Sequence, residues 1–212
     1  MKLLYKELAL AAHPTLFIFT LLGCLVIVPA YPYSVIFLFG CLAPYITFLY
    51  ARETNDAWYT AVLPVTKKDI VRAKCRLIIC AQLSQLLISI PFALLRIRLA
   101  IPNNPVGLDP TAAWYGFGLM IFALFDLIFF PAYYKSGYKA GKAFLLAMLF
   151  VLPAMLSVEV LSHIPALAWL DNTAVQNLPA QLPVLLAGAL CYAIVLPLAC
   201  RIAGYRFEQV DL

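Results

Sequence analysis

Residues 112–134 read Ala112-Ala113-Trp114-Tyr115-Gly116-Phe117-Gly118-Leu119-Met120-Ile121-Phe122-Ala123-Leu124-Phe125-Asp126-Leu127-Ile128-Phe129-Phe130-Pro131-Ala132-Tyr133-Tyr134, with Asp126 as the one carboxylate. A helix of this length, rising about 1.5 Å per residue, reaches about 34 Å and would cross a hydrocarbon core about 30 Å thick. Five further apolar runs meet the same test, near 12–28, 33–50, 77–95, 143–161 and 183–200. The whole chain has the same character. Of its 212 residues, 65% are hydrophobic and 12% charged, against roughly 25% charged in a soluble domain, so lipid is the expected solvent for most of the surface. The sequence therefore predicts an all-α integral membrane protein with six transmembrane helices, organised as a single domain over 1–212.

The basic residues sort by connector. Lys2 and Lys6 precede the first span; Arg52, Lys67, Lys68, Arg72, Lys74 and Arg76 lie between the second and third; Lys135, Lys139 and Lys142 follow the fourth; Arg201 and Arg206 follow the sixth. The other side holds Arg96 and Arg98, on a loop running to Pro110. Because cytoplasmic loops retain Lys and Arg, this asymmetry puts both termini in the cytoplasm. A net charge of +5 thus reads as membrane topology, and nucleic acid is not an expected partner.

Between the first two spans, Pro29-Ala30-Tyr31-Pro32 leaves room for a tight outer turn and an antiparallel hairpin. At the N-terminus, Lys2, Lys6 and Glu7 interrupt Leu3, Leu4, Leu8 and Leu10 before Pro14, the pattern of an interfacial amphipathic helix over 1–12 that turns into the first span. No charged start, short apolar core and cleavage site precede a soluble domain, so the first span is expected to stay in the mature chain. The last outer connector, 162–182, mixes Ile164, Leu167, Trp169 and Leu170 with Pro165, Asp171, Asn172 and Pro179, and short re-entrant helices are expected there. Prolines 44, 91, 131, 153 and 197 fall inside spans, where each removes a backbone donor and a kink is expected.

Little in the chain points to catalysis. Cys24, Cys41, Cys80, Cys191 and Cys200 lie in apolar runs, Cys75 at the edge of one, and no CxxC pair occurs, so reduced, buried thiols are expected. His13 and His163 are far apart, which leaves metal chemistry unsupported. The stretch Ser136-Gly137-Tyr138-Lys139-Ala140-Gly141-Lys142-Ala143 brushes against the phosphate-binding pattern GxxxxGK[ST], but Ser136 replaces the first glycine and Ala143 the magnesium-binding hydroxyl. No HExxH, activated serine or paired glutamate occurs on a span, and no catalytic residue is expected.

Two acids in or near lipid need an explanation. Facing hydrocarbon while ionised, Asp126 would cost at least ~2.5 kcal/mol. It is either a substrate or proton site or a helix-packing group bonded to Gln82, Ser84, Gln85 or Ser89 of the third span. Glu159, near the outer end of the fifth span, has easier access to water and is the second candidate for a substrate or proton pathway.

The most informative connector is 51–76. Glu53, Thr54, Asn55, Asp56, Trp58 and Tyr59 mix charge with aromatics beside the inner interface. Pro64 then breaks the helix, Thr66 can cap a new one by accepting a bond from the Asp69 amide, and Asp69 suits the positive end of that helix. An ordinary basic loop would also satisfy this composition. The run Leu63-Pro64-Val65-Thr66-Lys67-Lys68-Asp69-Ile70-Val71-Arg72-Ala73-Lys74, however, resembles the loop after the second span in six-helix permeases of the type-2 ABC exporter family, which read like LPVSRKEIVxxK. The interfacial helix, tight first hairpin and six spans resemble that family in layout.

The resemblance implies a permease subunit of the cell's inner (cytoplasmic) membrane that carries no ATPase or cofactor of its own. It would work with a separate cytoplasmic ABC ATPase, which holds the ATP and magnesium, and with a second permease copy, identical or different. Glu53 to Tyr59 would form the element that docks in a groove of the ATPase. Pro64, Lys67, Lys68 and Asp69 would begin the next helix, through which movement is transmitted. Spans rich in Phe, Tyr and Leu suit an amphipathic peptide, a drug-like hydrophobe or a lipid, with peptide export, or self-protection against a membrane-active antimicrobial peptide, the leading expectation. Two rivals remain: a proton-coupled secondary transporter working through Asp126 and Glu159, and a membrane-embedded enzyme.

Overall fold

A computed structural model describes residues 2–61, 64–161 and 163–209. It is all-helical over these residues. α1 (Lys2–Lys6) continues through one π-helical turn (Glu7–Ala11), and after a break the chain forms α2 (Pro14–Leu21) and a 3₁₀ segment (Leu22–Ile27). Then come α3 (Ser34–Glu53), the short α4 (Asp56–Ala61), α5 (Lys67–Arg98), α6 (Ala112–Lys135) and α7 (Ala140–Leu161). Two 3₁₀ turns, Pro165–Leu170 and Val175–Asn177, lead into α8 (Leu178–Glu208). Among the described residues, five helices are long and apolar enough to cross a membrane, and six if Leu3–Ala9 and Pro14–Ile27, bent by 86°, are one broken span.

The bend has a local cause. Pro14 occupies the first turn, where its missing N–H costs nothing, and the His13 ring accepts a bond from the Thr15 amide at 3.2 Å, capping the new helix. The first hairpin closes as its length requires: Ala30 takes a left-handed φ of 56°, and the Tyr33 hydroxyl donates to the Val28 carbonyl at 2.8 Å.

The helices outrun the apolar windows at their charged ends. α5 begins ten residues before the predicted 77, and α8 runs eight residues past the predicted 200, to Glu208. Hydropathy measures the length that hydrocarbon can solvate, whereas the helix hydrogen-bond ladder continues wherever water or side chains satisfy its ends. Arg96 and Arg98, assigned above to a loop, consequently lie on the last turn of α5. The 162–182 connector carries two short 3₁₀ helices, Pro165–Leu170 and Val175–Asn177, before α8 begins at Leu178, and Ser162 lies outside the described residues. The Gln181 amide donates to the carbonyls of Trp169, Leu170 and Asn172 at 2.8–3.3 Å, which folds this segment onto the start of α8.

α6 is the central helix, with 61% of its apolar window buried against 22% for α8. Its aromatics interlock with α3: Phe37 lies 4.4 Å from Trp114, and Phe48 lies 5.3 Å from Phe129, between ring centroids. α6 and α8 run in the same direction in close contact, because Gly116 and Gly188 face each other; a Cβ at either would fall on backbone of the other helix. The outer surfaces of α5, α7 and α8 carry large apolar side chains, including Leu87, Leu145, Leu149, Leu190 and Ile194, each more than 60% exposed. A belt of this size suits lipid or another subunit. The start of α1, the end of α8, α4 and the α6–α7 turn lie at one end of the bundle, here the terminal face, and the 99–111 and 163–177 segments lie at the far face.

Candidate functional site

The joint at the terminal face is built from local signals. α3 ends where the Thr54 amide bonds back to the Tyr50 carbonyl at 3.0 Å, and Asn55, at a φ of 53°, turns the chain into α4. Asparagine tolerates the left-handed conformation better than most residues. Beyond Pro64, Thr66 caps α5: its oxygen accepts from the Asp69 amide at 3.2 Å, and its hydroxyl donates to the Asp69 carboxylate at 2.6 Å. This hydroxyl bond is the main reason that the exposed Asp69 carboxyl sits below its ordinary range, with Arg72 assisting.

Beneath α4 lies an ion cluster that joins three separate elements. The Lys74 ammonium, from α5, contacts Glu7 at 2.9 Å and Asp56 at 2.6 Å. Lys6, from α1, contacts Glu7 at 3.1 Å, pairs with the other oxygen of Asp56, and donates to the Thr60 hydroxyl at 2.7 Å. Glu7, Lys74 and Asp56 are 0%, 5% and 7% exposed. Two ammoniums and two carboxylates alternate, so each charge has opposite neighbours and the set sums to zero, the condition under which buried ions are tolerated. Burial alone would push the Asp56 carboxyl up; the Lys74 charge and hydrogen bonds from Lys6 and Lys74 outweigh it and hold the group below its ordinary value.

The expected docking residues thereby divide. Glu53, Thr54, Asn55 and Pro64 are exposed, Tyr59 is 56% exposed, and Lys67, Lys68 and Asp69 are partly exposed. Asp56 points inward and fastens α4 to the bundle, so it does not stand on an outer docking surface. The Trp58 side chain lies outside the described residues. Lys6, Glu7, Thr60 and Lys74 were not expected in these roles. Adjacent charges at Lys6 and Glu7 within an apolar run were the available hint, but their partners lie 50 and 67 positions away.

Deeper in the bundle, Asp126 is fully buried. Of the polar partners expected on α5, Gln82 reaches it: its amide donates at 3.1 Å, and its carbonyl accepts from the Tyr192 hydroxyl at 2.8 Å. The chain Asp126–Gln82–Tyr192 thus ties α6, α5 and α8 together, while the second Asp126 oxygen has no hydrogen-bond partner among the described residues. Asp126→Asn, which keeps the accepting oxygen, is expected to leave the thermal unfolding temperature nearly unchanged. Asp126→Ala should cost about 1–2 kcal/mol, the range for a polar contact between membrane helices, read by unfolding in detergent.

At the far face, Arg96 is 2% exposed and holds Asp109 at 2.9 Å, the Tyr33 hydroxyl at 2.5 Å and the Pro102 carbonyl. Asp109 also accepts from the Asn104 amide, and its own amide donates to Asp171 at 2.6 Å. Glu159 belongs to this face. It accepts from the amides of Ser34 at 3.1 Å and Leu108 at 3.2 Å, stitching the end of α7 to the start of α3 and to the 99–111 loop. The structure thus does not bring Glu159 and Asp126 together as one path. Among the described residues, no trio of His, Cys, Asp or Glu is placed to hold a metal ion.

A family model described as ABC-2 family transporter protein matches residues 2–203. No curated protein and no solved structure matches the chain.

Proposed function

The chain belongs to the ABC-2 transporter family, and from that premise we propose that it is the membrane-spanning permease of an ATP-driven exporter in the cytoplasmic membrane. It works beside a second permease copy and is driven by an ATPase on another chain, which supplies the ATP and magnesium. The observation that carries this reading is the joint at the terminal face. A short helix sits at the end of a long span; the end of the span, the turn and the short helix together present Glu53, Thr54, Asn55 and Tyr59 outward, and the short helix is fastened from beneath by the Lys6, Glu7, Asp56 and Lys74 cluster. A push on α4 would reach α5 directly through Asp56 and Lys74. Thirteen of the fifteen Lys and Arg residues belong to the segments of that face, which supports a cytoplasmic orientation for it.

The exported class is proposed as amphipathic and largely apolar, a membrane-active peptide first, then a hydrophobic drug or lipid. In support, a cavity of about 550 Å³ opens near the far face between α5, α6 and α8, walled by Leu83, Leu87, Leu94 and Leu185, with Asn172 and Gln181 at its polar side. The decisive experiment is reconstitution of the purified permease with a candidate ABC ATPase. Binding and stimulated hydrolysis are expected, and Tyr59→Ala should weaken binding by about tenfold or more, as truncating an aromatic anchor does, without shifting the unfolding temperature. Failure of the wild-type permease to bind or stimulate any ABC ATPase co-expressed with it overturns the reading. Transport that persists without an ATPase and collapses with the proton gradient would establish the proton-coupled alternative.

A further inference from the structure

A different part of the terminal face, outside the Lys6, Glu7, Asp56 and Lys74 cluster, carries a basic groove. α5 presents Lys68, Arg72 and Arg76 at four-residue steps, which stacks them along one side of the helix. The antiparallel α8 answers with Arg201 and Tyr205 at the same spacing. Between them lies a groove of about 560 Å³, floored by Ile79, Leu196 and Pro197. Gly204 keeps one wall low: a Cβ there would already reach ordinary contact with the Lys68 side chain, at 3.4 Å, so a larger side chain would take up groove space.

The charges are compensated unevenly. At the mouth, Lys68 pairs with Glu208 at 2.9 Å, and Arg72 with Asp69 at 3.5 Å. Deeper in, Arg76 and Arg201 are exposed and pair with no carboxylate among the described residues. Both stand where the helices pass from charged sequence to continuous apolar sequence, at Leu77 on α5 and below Cys200 on α8. Two uncompensated guanidiniums at such a boundary call for an anion, and the apolar floor running on toward the spans calls for a hydrocarbon tail attached to it.

We propose that the α5–α8 groove is a binding site for an acidic phospholipid, whose phosphodiester lies between Arg76 and Arg201 and whose acyl chain follows Ile79 and Leu196. Tyr205, 60% exposed and 4.6 Å below the Lys68 ammonium, stands at the height of the glycerol and headgroup, where aromatic side chains gather in membrane proteins. A soluble phosphate would use the guanidiniums but gain nothing from the floor. An acidic protein segment would use the charges from the water side, where Glu208 and Asp69 already supply carboxylates. The site is independent of the exporter reading, because it needs neither ATPase nor substrate.

The test is native mass spectrometry of the full-length protein, exchanged into mixed micelles of phosphatidylglycerol and phosphatidylcholine with identical acyl chains. Wild type is expected to retain one or more phosphatidylglycerol molecules at least tenfold over phosphatidylcholine. Arg76→Gln with Arg201→Gln should weaken that retention by about thirtyfold, two cations at a lipid surface being removed. The charge-matched control, Arg52→Gln with Lys139→Gln, should keep it. Gly204→Leu leaves every charge in place and fills the groove; it should also lower retention, which separates a shaped site from diffuse attraction. Equal retention of the two lipids, an unaffected arginine double variant, or displacement by soluble glycerol phosphate at equal concentration would overturn the proposal. So would binding of an acidic peptide that competes fully with the lipid.

Discussion

Lys74→Met is expected to destabilise the folded protein by about 3–5 kcal/mol, the cost of removing one partner from a buried ion pair. Methionine nearly preserves the length and apolar bulk of the lysine stem, so the loss is one of charge. Glu7 and Asp56, at 0% and 7% exposure, would be left sharing Lys6. The unfolding temperature in detergent should fall by about 10 °C, given roughly 2–4 °C per kcal/mol for a chain of this size. The same change should release α4, making 54–61 more accessible to hydrogen exchange. Adding Glu7→Gln removes one charge of the opposite sign and should restore at least half of the loss, since the two residues touch and their effects are coupled. An unchanged unfolding temperature in Lys74→Met would show that the cluster does not hold the joint. Because the Asp56 carboxyl lies below its ordinary value in the folded chain, its contribution is present at neutral pH and is lost as the pH falls below about 4.

Arg96→Met should act with similar size at the opposite end, again about 3–5 kcal/mol. The guanidinium faces Asp109, 0% exposed, and organises the whole 99–111 loop through the Pro102 carbonyl and the Tyr33 hydroxyl. Without it, the Asp109 carboxylate keeps only the Asn104 amide among the described residues. Loss of hydrogen-exchange protection over 101–111 and 163–174, with the terminal face unaffected, is the expected signature; protection as in wild type would refute it.

This cluster also has a pH dependence opposite in sign to that of the joint. Burial pushes the Asp171 carboxyl up to about 6, with the Asp109 and Glu159 charges adding and Arg96 opposing. Burial likewise raises Asp109 against the pull of Arg96. Both carboxyls take up protons more readily in the folded chain than in the unfolded one, so the far face gains stability as the pH falls from 7 through 6 and loses it as the pH rises through that range. Thermal unfolding at pH 5 and pH 7.5 should show wild type relatively more stable at the lower value. Asp171→Asn, which still accepts from the Asp109 amide, should narrow that difference.

How much of this was legible in advance depended on distance along the chain. The window 112–134 matched α6 to within one residue, because Thr111 caps it and Lys135 closes it at the edges of the apolar run. The Thr66 cap on α5 was equally readable, since Thr66 and Asp69 are three positions apart. The joint was located by its charge and by its resemblance to the exporter loop, yet its division was invisible. Asp56 and Glu53 look alike in sequence, but one is bound inside by Lys6 and Lys74 and the other is open to solvent. The far-face cluster escaped notice for the same reason, Arg96 having been read as part of an outer loop.

The six apolar stretches, the breaks at Pro14 and Pro64 and the lopsided basic charge were determined by sequence alone, because hydrocarbon thickness and helix capping act on neighbouring residues. Tertiary structure alone decided which charges are buried: Glu7 meets Lys74 across 67 positions, and Ser34 meets Glu159 across 125. A charge is admitted to the interior when an opposite charge or a set of donors arrives from another helix, and that arrival is set by how the helices pack. On α6 and α8 the packing itself turns on Gly116 and Gly188, whose lack of side chains lets two backbones touch.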